Sequence, residues 1–405
     1  MFIYLRRDNQ LLMALNNIRL SYLARFLRDL QFFGAIIVPF FLDWLQVSYT
    51  QFFLLESWFV LWIVLLEIPT GIVADKYGRK ISLALGVLFF GIDLLLLGLL
   101  RDYYLLYIAE FIGALGYTLI SGADQALIYD YLIEQKKQKD AKHYLARYEA
   151  AGTLGLIISL PLGSIIADSA SYPFSLALTF ILSGACTILS VFFFLMMKEP
   201  KRRRPTENFV RMGIDGLKYL NNHKVLRAFA INSVFISSVT SFIFWFYQPM
   251  AGSAGIGLRY YGFIGAGFNL FAVLLLMNTK KLEKVFGMKN LLMYSAIVPA
   301  VLFIGAGLVN GLFLTLLAIF LIAGLKMLRT PILSDYMNRY IQGKNRATIL
   351  SSISLVERAT TAILYPVVGF FADISLSYVL IFLGILTLVF AIITRLEESH
   401  LVCHR

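Results

Sequence analysis

Long apolar stretches alternate with short polar ones along almost the whole chain. A helix needs about 20 mostly apolar residues to cross the hydrocarbon core of a bilayer. In each stretch the apolar residues are continuous and do not alternate with polar ones, so the stretches predict helices and not barrel strands. The predicted fold class is an all-α membrane protein with twelve transmembrane helices, at residues 22–46, 51–74, 81–100, 103–131, 150–168, 171–197, 225–250, 257–278, 288–309, 311–335, 350–373 and 376–396.

The composition excludes an ordinary soluble domain. Of the 405 residues, 59% are hydrophobic and 15% are charged, whereas soluble domains are roughly a quarter charged. The two cysteines, Cys186 and Cys403, lie far apart and have neither metal-ligand spacing nor the pattern of a disulfide framework. We predict no resident metal, no cofactor and no removable signal peptide.

Basic residues concentrate in alternate loops. If the N-terminus is cytoplasmic, the outer loops contain only two cations, Arg101 and Arg259. The positive-inside rule then predicts a multi-pass protein of the cytoplasmic membrane with both termini in the cytoplasm. The formal net charge of +12 is thereby explained by topology, and it does not indicate nucleic-acid binding. The inner loops contain Lys76, Arg79 and Lys80, then Lys136 to Arg147, Lys201 to Lys224, Lys280 to Lys289 and Arg339 to Arg346.

One inner connection is longer and more polar than the others. It reads "KEPKRRRPTENFVRMGIDGLKYLNNHKVLR", with six predicted spans before it and six after it. We predict an N-terminal half at 1–197, a cytoplasmic linker at 198–224 and a C-terminal half at 225–405. The part of the connection from Glu207 onwards could form an amphipathic helix at the membrane surface.

The stretch "GIVADKYGRK" lies in the inner loop between spans two and three. Gly71 would allow another helix to approach closely, and Gly78 would permit a tight turn. Asp75 could accept hydrogen bonds from the N-terminus of a neighbouring helix. The stretch matches the pattern Gly-x-x-x-Asp-Arg/Lys-x-Gly-Arg-Arg/Lys at Gly71, Asp75, Lys76, Gly78, Arg79 and Lys80.

With this loop, its span count and its six-plus-six division, the chain resembles the major facilitator superfamily from end to end. The resemblance implies two pseudo-symmetric six-helix halves that rock against each other. In that family the charges of the loop link to an acid at the inner end of span four, as a latch that holds the inner gate shut in the outward-facing state. Asp130 in "SGADQALIYDYL" has the expected place, and Asp124 is the less favoured partner. The loop "NTKKLEKVFGMKN" is similar to a degraded second copy.

Ionisable residues within the spans are candidates for function, because each costs at least ~2.5 to 3.5 kcal/mol to insert. The resemblance places spans one, four, seven and ten around a central cavity. Structural pairs are the alternative, such as Arg28 with Asp124 or Glu357 with Arg329. Arg25 could instead extend to the membrane surface. The candidates for substrate or proton binding are Arg28, Asp29, Glu67, Asp124, Gln248, Arg329, Glu357 and Arg358.

A buried acid beside a cation could alternate between a protonated and an ion-paired state. Because the sequence has no phosphate-binding loop and no nucleophile or metal motif, we predict a secondary transporter and not an enzyme. We also expect a monomer. Proton-coupled export of a drug or metabolite is favoured, although "GLIISLPLGSII" matches the export signature of span five only in part. Uptake of an anionic or zwitterionic metabolite, bound by Arg28 and Arg329, is one alternative, and a non-transporting receptor is another.

Overall fold

The computed structural model describes residues 16–200, 219, 223–341 and 346–394, and all regular structure within these ranges is helical. The longer helices are α1 (residues 16–28), α2 (Tyr49–Tyr77), α3 (Arg79–Leu99), α4 (Tyr103–Ile120), α5 (Ala123–Glu134), α6 (Ala141–Ala167), α7 (Phe174–Met196), α8 (Lys224–Thr240), α9 (Ile243–Ser253), α10 (Tyr261–Met277), α11 (Thr279–Phe286), α12 (Met288–Leu308), α13 (Leu312–Tyr340), α14 (Arg346–Ile374) and α15 (Leu376–Ile393).

The described part of the chain contains 11 helical segments long and apolar enough to cross a membrane, and they correspond to predicted spans two to twelve. The predicted span 22–46 is not among them, because its helix is interrupted. Helix α1 stops before Asp29, and short turns of 3₁₀, α and π type then cover Phe32–Trp44. The chain is therefore an all-helical, multi-pass membrane protein, but the predicted count of twelve continuous spans is not confirmed.

The chain forms two compact units. The first unit contains Met1–Ile36 and Leu61–Thr206, and the second contains Ile37–Val60 and Glu207–Arg405. Helix α2 therefore contributes its first part to the second unit and its last part to the first unit. Most of the predicted linker 198–224 lies outside the described residues, and the half boundaries predicted at 197 and 225 stay a prediction.

In the first unit, α3 packs closely against both α4 and α7. Glycines make these contacts possible, because they allow two helix backbones to approach each other. A Cβ atom on Gly91 would lie 3.1 Å from the carbonyl oxygen of Gly184 on α7. A Cβ atom on Gly116 of α4 would lie 2.7 Å from the carbonyl oxygen of Gly86 on α3.

The second unit repeats this arrangement with α12, α13 and α15. A Cβ atom on Gly384 of α15 would lie 2.7 Å from the carbonyl oxygen of Ala300 on α12. Helices α3 and α12 both have 21 residues, and each begins directly after a glycine with positive φ, Gly78 (118°) and Gly287 (73°). Such an internal repeat is what the predicted pseudo-symmetry of the halves requires.

Candidate functional site

Two helices of the first unit are interrupted next to acidic residues. Helix α1 ends before Asp29, and α4 is separated from α5 by Ser121 and Gly122, the latter with φ 73°. After the first break, the backbone N–H of Phe32 donates to Oγ of Ser183 on α7 at 2.9 Å. Interrupted helices persist in a membrane only where such partners satisfy the free backbone groups. They are also where transporters commonly place their binding sites.

Five charged side chains meet at these breaks, and we call them the charge cluster: Arg25, Arg28, Asp29, Asp124 and Glu149. Arg25 Nε lies 2.7 Å from Asp29 Oδ2, and Arg25 Nη2 lies 3.2 Å from Glu149 Oε2. Arg28 Nε lies 3.1 Å from Asp29 Oδ1. The cluster therefore joins α1 to α5 and α6 within one unit.

Asp124 occupies the centre of the charge cluster. Its Oδ2 atom lies 3.5 Å from Arg25 Nη1 and 3.7 Å from Arg28 Nη1. The same atom accepts a hydrogen bond from the hydroxyl of Tyr148 at 3.2 Å. Its Oδ1 atom accepts from the backbone N–H of Gln125 at 2.7 Å. Because Asp124 lies in the first turn of α5, the helix dipole also favours its negative charge.

Glycines on α6 make room for these ion pairs. A Cβ atom on Gly152 would overlap Oδ2 of Asp29, and one on Gly155 would lie 2.7 Å from the carbonyl oxygen of Phe26. The glycine face of α6 thus lets α1 approach closely enough for Arg25 to reach Asp124 on α5 and Glu149 on α6.

The charges of the cluster do not balance if every group is ionised, because three carboxylates face two guanidinium groups. Arg28 and Asp29 are each only 6% exposed, whereas the side chain of Glu149 is 48% exposed. Burial of a surplus negative charge is unfavourable, and protonation of one carboxyl group removes it. The cluster therefore contains one carboxyl group more than its two cations can neutralise.

The structure brings Arg28, Asp29 and Asp124 together, as the sequence suggested for Arg28 and Asp124. Arg25 does not extend to the membrane surface, because its guanidinium group is held by three carboxylates. Glu149 was not among the predicted site residues. A signal for it exists in the sequence, since Glu149 lies one helical turn before Gly152 and so shares its helix face.

Five of the predicted cavity residues lie outside the cluster: Glu67, Gln248, Arg329, Glu357 and Arg358. Glu67 is half-buried on α2, and its carboxylate makes no ion pair with another described residue of the first unit. In the second unit, Gln248 is fully buried, and its Oε1 atom accepts from the backbone N–H of Val38 at 2.9 Å. Arg358 is half-buried on α14. Gln248 thus satisfies backbone groups that the interrupted first span leaves free.

Arg329 is buried in the second unit and bound by uncharged groups. One of its Nη atoms donates to the carbonyl oxygen of Leu292 at 2.7 Å and to Oγ of Ser295 at 2.6 Å. The other Nη atom donates to Oδ1 of Asn232. The pair with Glu357 that the sequence suggested is wrong, because no carboxylate among the described residues lies within ion-pair distance of Arg329.

In the loop motif, Arg79 Nη1 lies 2.6 Å from Asp130 Oδ2 and also donates to the carbonyl oxygen of Ala126. Glu199, three residues after the end of α7, accepts from the backbone N–H groups of Arg79 at 2.9 Å and Lys80 at 2.8 Å. It therefore caps the N-terminus of α3. Sequence reasoning missed Glu199, although its place in "KEP" after an apolar span was visible.

Two expectations about the loop differ from the structure. No heavy atom of the described residues lies within 4 Å of the position that a Cβ atom on Gly71 would take, so these residues do not make the close helix contact predicted there. The cap of α3 is Glu199 and not Asp75, which is half-buried near the end of α2. Gly78 is needed for its backbone, because φ is 118° and a Cβ atom would lie 3.0 Å from Glu199 Cδ. Lys76 is exposed.

Comparison with known proteins gives relatives among transporters. The chain is 29% identical over 167 residues to "Multidrug resistance protein 1" of Bacillus subtilis (strain 168), a match that covers 41% of each chain. It is 21% identical over 350 residues to "Uncharacterized MFS-type transporter YxaM" of the same organism, covering 83% of this chain and 85% of that protein.

Solved structures share the fold over nearly the whole chain. The nucleoside transporter NupG matches with a TM-score of 0.75 and 17% identity, covering 96% of this chain and 99% of that one. A D-xylose-proton symporter matches with a TM-score of 0.73 and 14% identity, covering 96% and 99%. The family model described as "Major Facilitator Superfamily" matches residues 20–323, more than half of the chain. The chain therefore belongs to the major facilitator superfamily and is a secondary transporter.

Proposed function

We propose that this transporter exports a drug or metabolite in exchange for protons, by alternating access. The observation that carries the proposal is the charge cluster, in which Asp29, Asp124 and Glu149 share the guanidinium groups of Arg25 and Arg28. A proton bound by one carboxyl group weakens its ion pairs, and loss of the proton restores them. Proton binding thereby changes the contacts that join α1 to α5 and α6, and such a change is what couples a proton to a conformational step.

Export is supported by the partial likeness to "Multidrug resistance protein 1", which covers 41% of that protein. The uptake of an anion would instead need guanidinium groups that are free to bind it. Arg28 is held by carboxylates, so Arg28 and Arg329 do not provide the pair of free cations that the anion-uptake alternative requires. These contacts favour export of a neutral or cationic solute over uptake of an anionic one.

We assign the loop from Gly71 to Lys80 a gating role. The ion pair between Arg79 and Asp130 and the cap by Glu199 tie the loop and the start of α3 to α5 and to the end of α7. A latch of this kind holds one conformation more firmly than the other. Its loss should change transport more than stability, since partly exposed ion pairs contribute only about 0 to 1 kcal/mol.

The basic loops support an orientation with both termini in the cytoplasm. Single cysteines introduced in a variant without native cysteines test this. Arg101→Cys and Arg259→Cys should react with an impermeant thiol reagent added to intact cells. Lys137→Cys should react only after the membrane is opened. The opposite pattern would overturn the orientation.

Export is tested by comparing the susceptibility of cells with and without the protein to a broad panel of toxic compounds. A compound tolerated better in its presence is then followed in proteoliposomes with an imposed pH gradient. Asp124→Asn, which removes the acid at the centre of the cluster, should reduce gradient-driven transport to background. Glu134→Gln, an exposed acid at the end of α5, is the matched control. Anion accumulation that persists in Asp124→Asn would favour uptake instead.

A further inference from the structure

At one position of the internal repeat, the two units carry residues of different character. The register that aligns Gly287 with Gly78 also aligns Leu312 with Tyr103, the first residues of α13 and α4. In the first unit, Ile120 of α4 packs against Gly86 of α3, with its Cγ1 atom 2.7 Å from where a glycine Cβ would lie. The same register puts Arg329 at the place of Ile120 and Ser295 at the place of Gly86.

An apolar residue would thus fit this position, yet the second unit has an arginine there. Arg329 is 1% exposed, and its partners in the described residues are neutral. Its Nε atom is buried and has no hydrogen-bond partner among those residues. Removal of a charge from water costs several kcal/mol when no opposite charge compensates it. Packing therefore does not explain why a cation occupies this place.

Arg329 lines a cavity of about 250 Å³ within the second unit. The cavity lies among α8, α12, α13 and α15, near the ends of α8 and α12 that the basic loops mark. Lys289, one residue after the start of α12, provides a second cation in the lining. The amide of Asn232 positions Arg329, because its Oδ1 atom accepts from Arg329 and its Nδ2 atom donates to the carbonyl oxygen and Oγ1 of Thr394. The remaining walls are apolar and include Ile236, Met293 and Ile392. A cavity with two cations among apolar walls fits an oxyanion that is attached to an apolar body.

The mouth of the cavity adjoins a face suited to lipid. Ile392 of the lining is 67% exposed, and Tyr294, next to the lining residue Met293, is 41% exposed. In a membrane-spanning unit, such apolar exposure faces acyl chains. Basic pockets between membrane helices on the cytoplasmic side are suited to lipid head groups.

We infer that Arg329 and Lys289 form a binding site for a phosphate anion, with the apolar walls receiving the chain of an anionic lipid. Arginine suits this role because its planar group presents several donors to phosphate oxygens, and three of its hydrogen bonds to the protein fix its orientation. The site is separate from the charge cluster, and its existence does not depend on the direction of transport.

The test uses the purified full chain, freed of lipid in a neutral detergent. Binding of short-chain phosphatidylglycerol, short-chain phosphatidylcholine and inorganic phosphate is measured by calorimetry. We expect saturable binding of phosphatidylglycerol, and Lys289→Gln should weaken it by about tenfold, the effect of losing one charge-assisted hydrogen bond. Lys284→Gln, an exposed cation on α11 outside the lining, should leave the affinity unchanged.

Arg329→Gln should abolish binding. If Arg329→Gln fails to fold, Lys289→Gln still tests the site. If phosphatidylglycerol binds and inorganic phosphate does not, the ligand is a lipid. If Lys289→Gln weakens the binding of inorganic phosphate as much as that of phosphatidylglycerol, the ligand is free phosphate. The inference is overturned if neither anion binds. It is also overturned if phosphatidylcholine binds equally well or if Lys284→Gln and Lys289→Gln have the same effect.

Discussion

The two units of this transporter treat buried charge in opposite ways. In the first unit, Arg25 and Arg28 are surrounded by carboxylates, and the position between α3 and α4 is filled by Ile120, which belongs to an apolar core. In the second unit, the equivalent position holds Arg329, whose described partners are neutral. The same position of the repeat therefore holds an apolar residue in one unit and a cation with neutral partners in the other.

This difference separates two kinds of chemistry. A network of paired acids and cations responds to protons, because protonation removes one partner of an ion pair. A buried cation held by neutral groups keeps its positive charge and attracts anions. We therefore assign proton coupling to the first unit and anion binding to the second.

The largest expected effect comes from making the two units alike. Ile120→Arg would place a cation in an apolar core, where Ile120 is 8% exposed and Gly86 offers no hydroxyl group. We expect a loss of about 3 to 5 kcal/mol of stability, enough to prevent accumulation of folded protein. Fluorescence-detected size-exclusion chromatography measures the folded fraction.

Ile120→Val is the control and should remain folded, because such a change typically costs about 0.5 to 1.5 kcal/mol. Normal accumulation of Ile120→Arg would mean that the first unit also tolerates an unpaired cation, and the contrast between the units would disappear.

The next effect concerns the charge cluster. Glu149→Gln removes the surplus carboxylate but keeps the hydrogen-bonding capacity of the side chain. Because Asp29 and Asp124 remain with two cations, we expect the protein to stay folded while proton-driven transport falls severalfold. Transport that is unchanged in Glu149→Gln would show that the surplus acid has no part in coupling.

A substitution at the tight contact between α3 and α4 should cause a smaller loss of stability. Gly116→Ala would place a Cβ atom 2.5 Å from the backbone nitrogen of Phe90, whereas the same register in α13 holds a large residue, Leu325. We expect a loss of about 1 to 3 kcal/mol, measured as a lowered melting temperature. Gly71→Ala, whose Cβ atom would meet no atom of the described residues within 4 Å, is the control and should melt as the wild type does. Equal melting of both variants would contradict the close approach.

The smallest stability effect is expected at the loop. Arg79 and Asp130 have side chains 21% and 14% exposed, so a double-mutant cycle with Arg79→Gln and Asp130→Asn should give a coupling of about 1 kcal/mol or less. Asp130→Asn should nevertheless reduce transport clearly, since a latch acts on the balance of conformations. Asp75→Asn should do the same. Normal transport in both variants would contradict the gating role assigned to the loop.

Much of the fold could be predicted from sequence, because hydrophobic length is a strong constraint on membrane helices. Eleven of the predicted spans have a matching helical segment. The break at Asp29 could not be predicted, since Gly34 and Pro39 follow it only after more than one helical turn and the partner of the freed backbone, Ser183, is distant in the chain. Gln248 was predicted as a cavity residue from its polarity, whereas its bond to Val38 depends on that same unpredicted break.

The site was predictable only as a set of residue types. Sequence showed that Arg28, Asp124 and Arg329 lie inside spans, but charge alone does not show which groups face each other. Arg28 meets carboxylates because the glycine face of α6 admits α1, and Arg329 meets none among the described residues because its neighbours on α8 and α12 are Asn232 and Ser295. Helix rotation decides both outcomes, and it is set by packing across the unit.

Proton movement coupled to the exported solute tests the central proposal most directly. Purified protein is placed in liposomes with an internal pH-sensitive dye and a preset pH gradient, and the solute found by susceptibility screening is added. We expect the wild type and Lys289→Gln to dissipate the gradient when the solute is added, and Asp124→Asn to leave it intact. Dissipation by Asp124→Asn at the wild-type rate would contradict the assignment of proton coupling to the charge cluster.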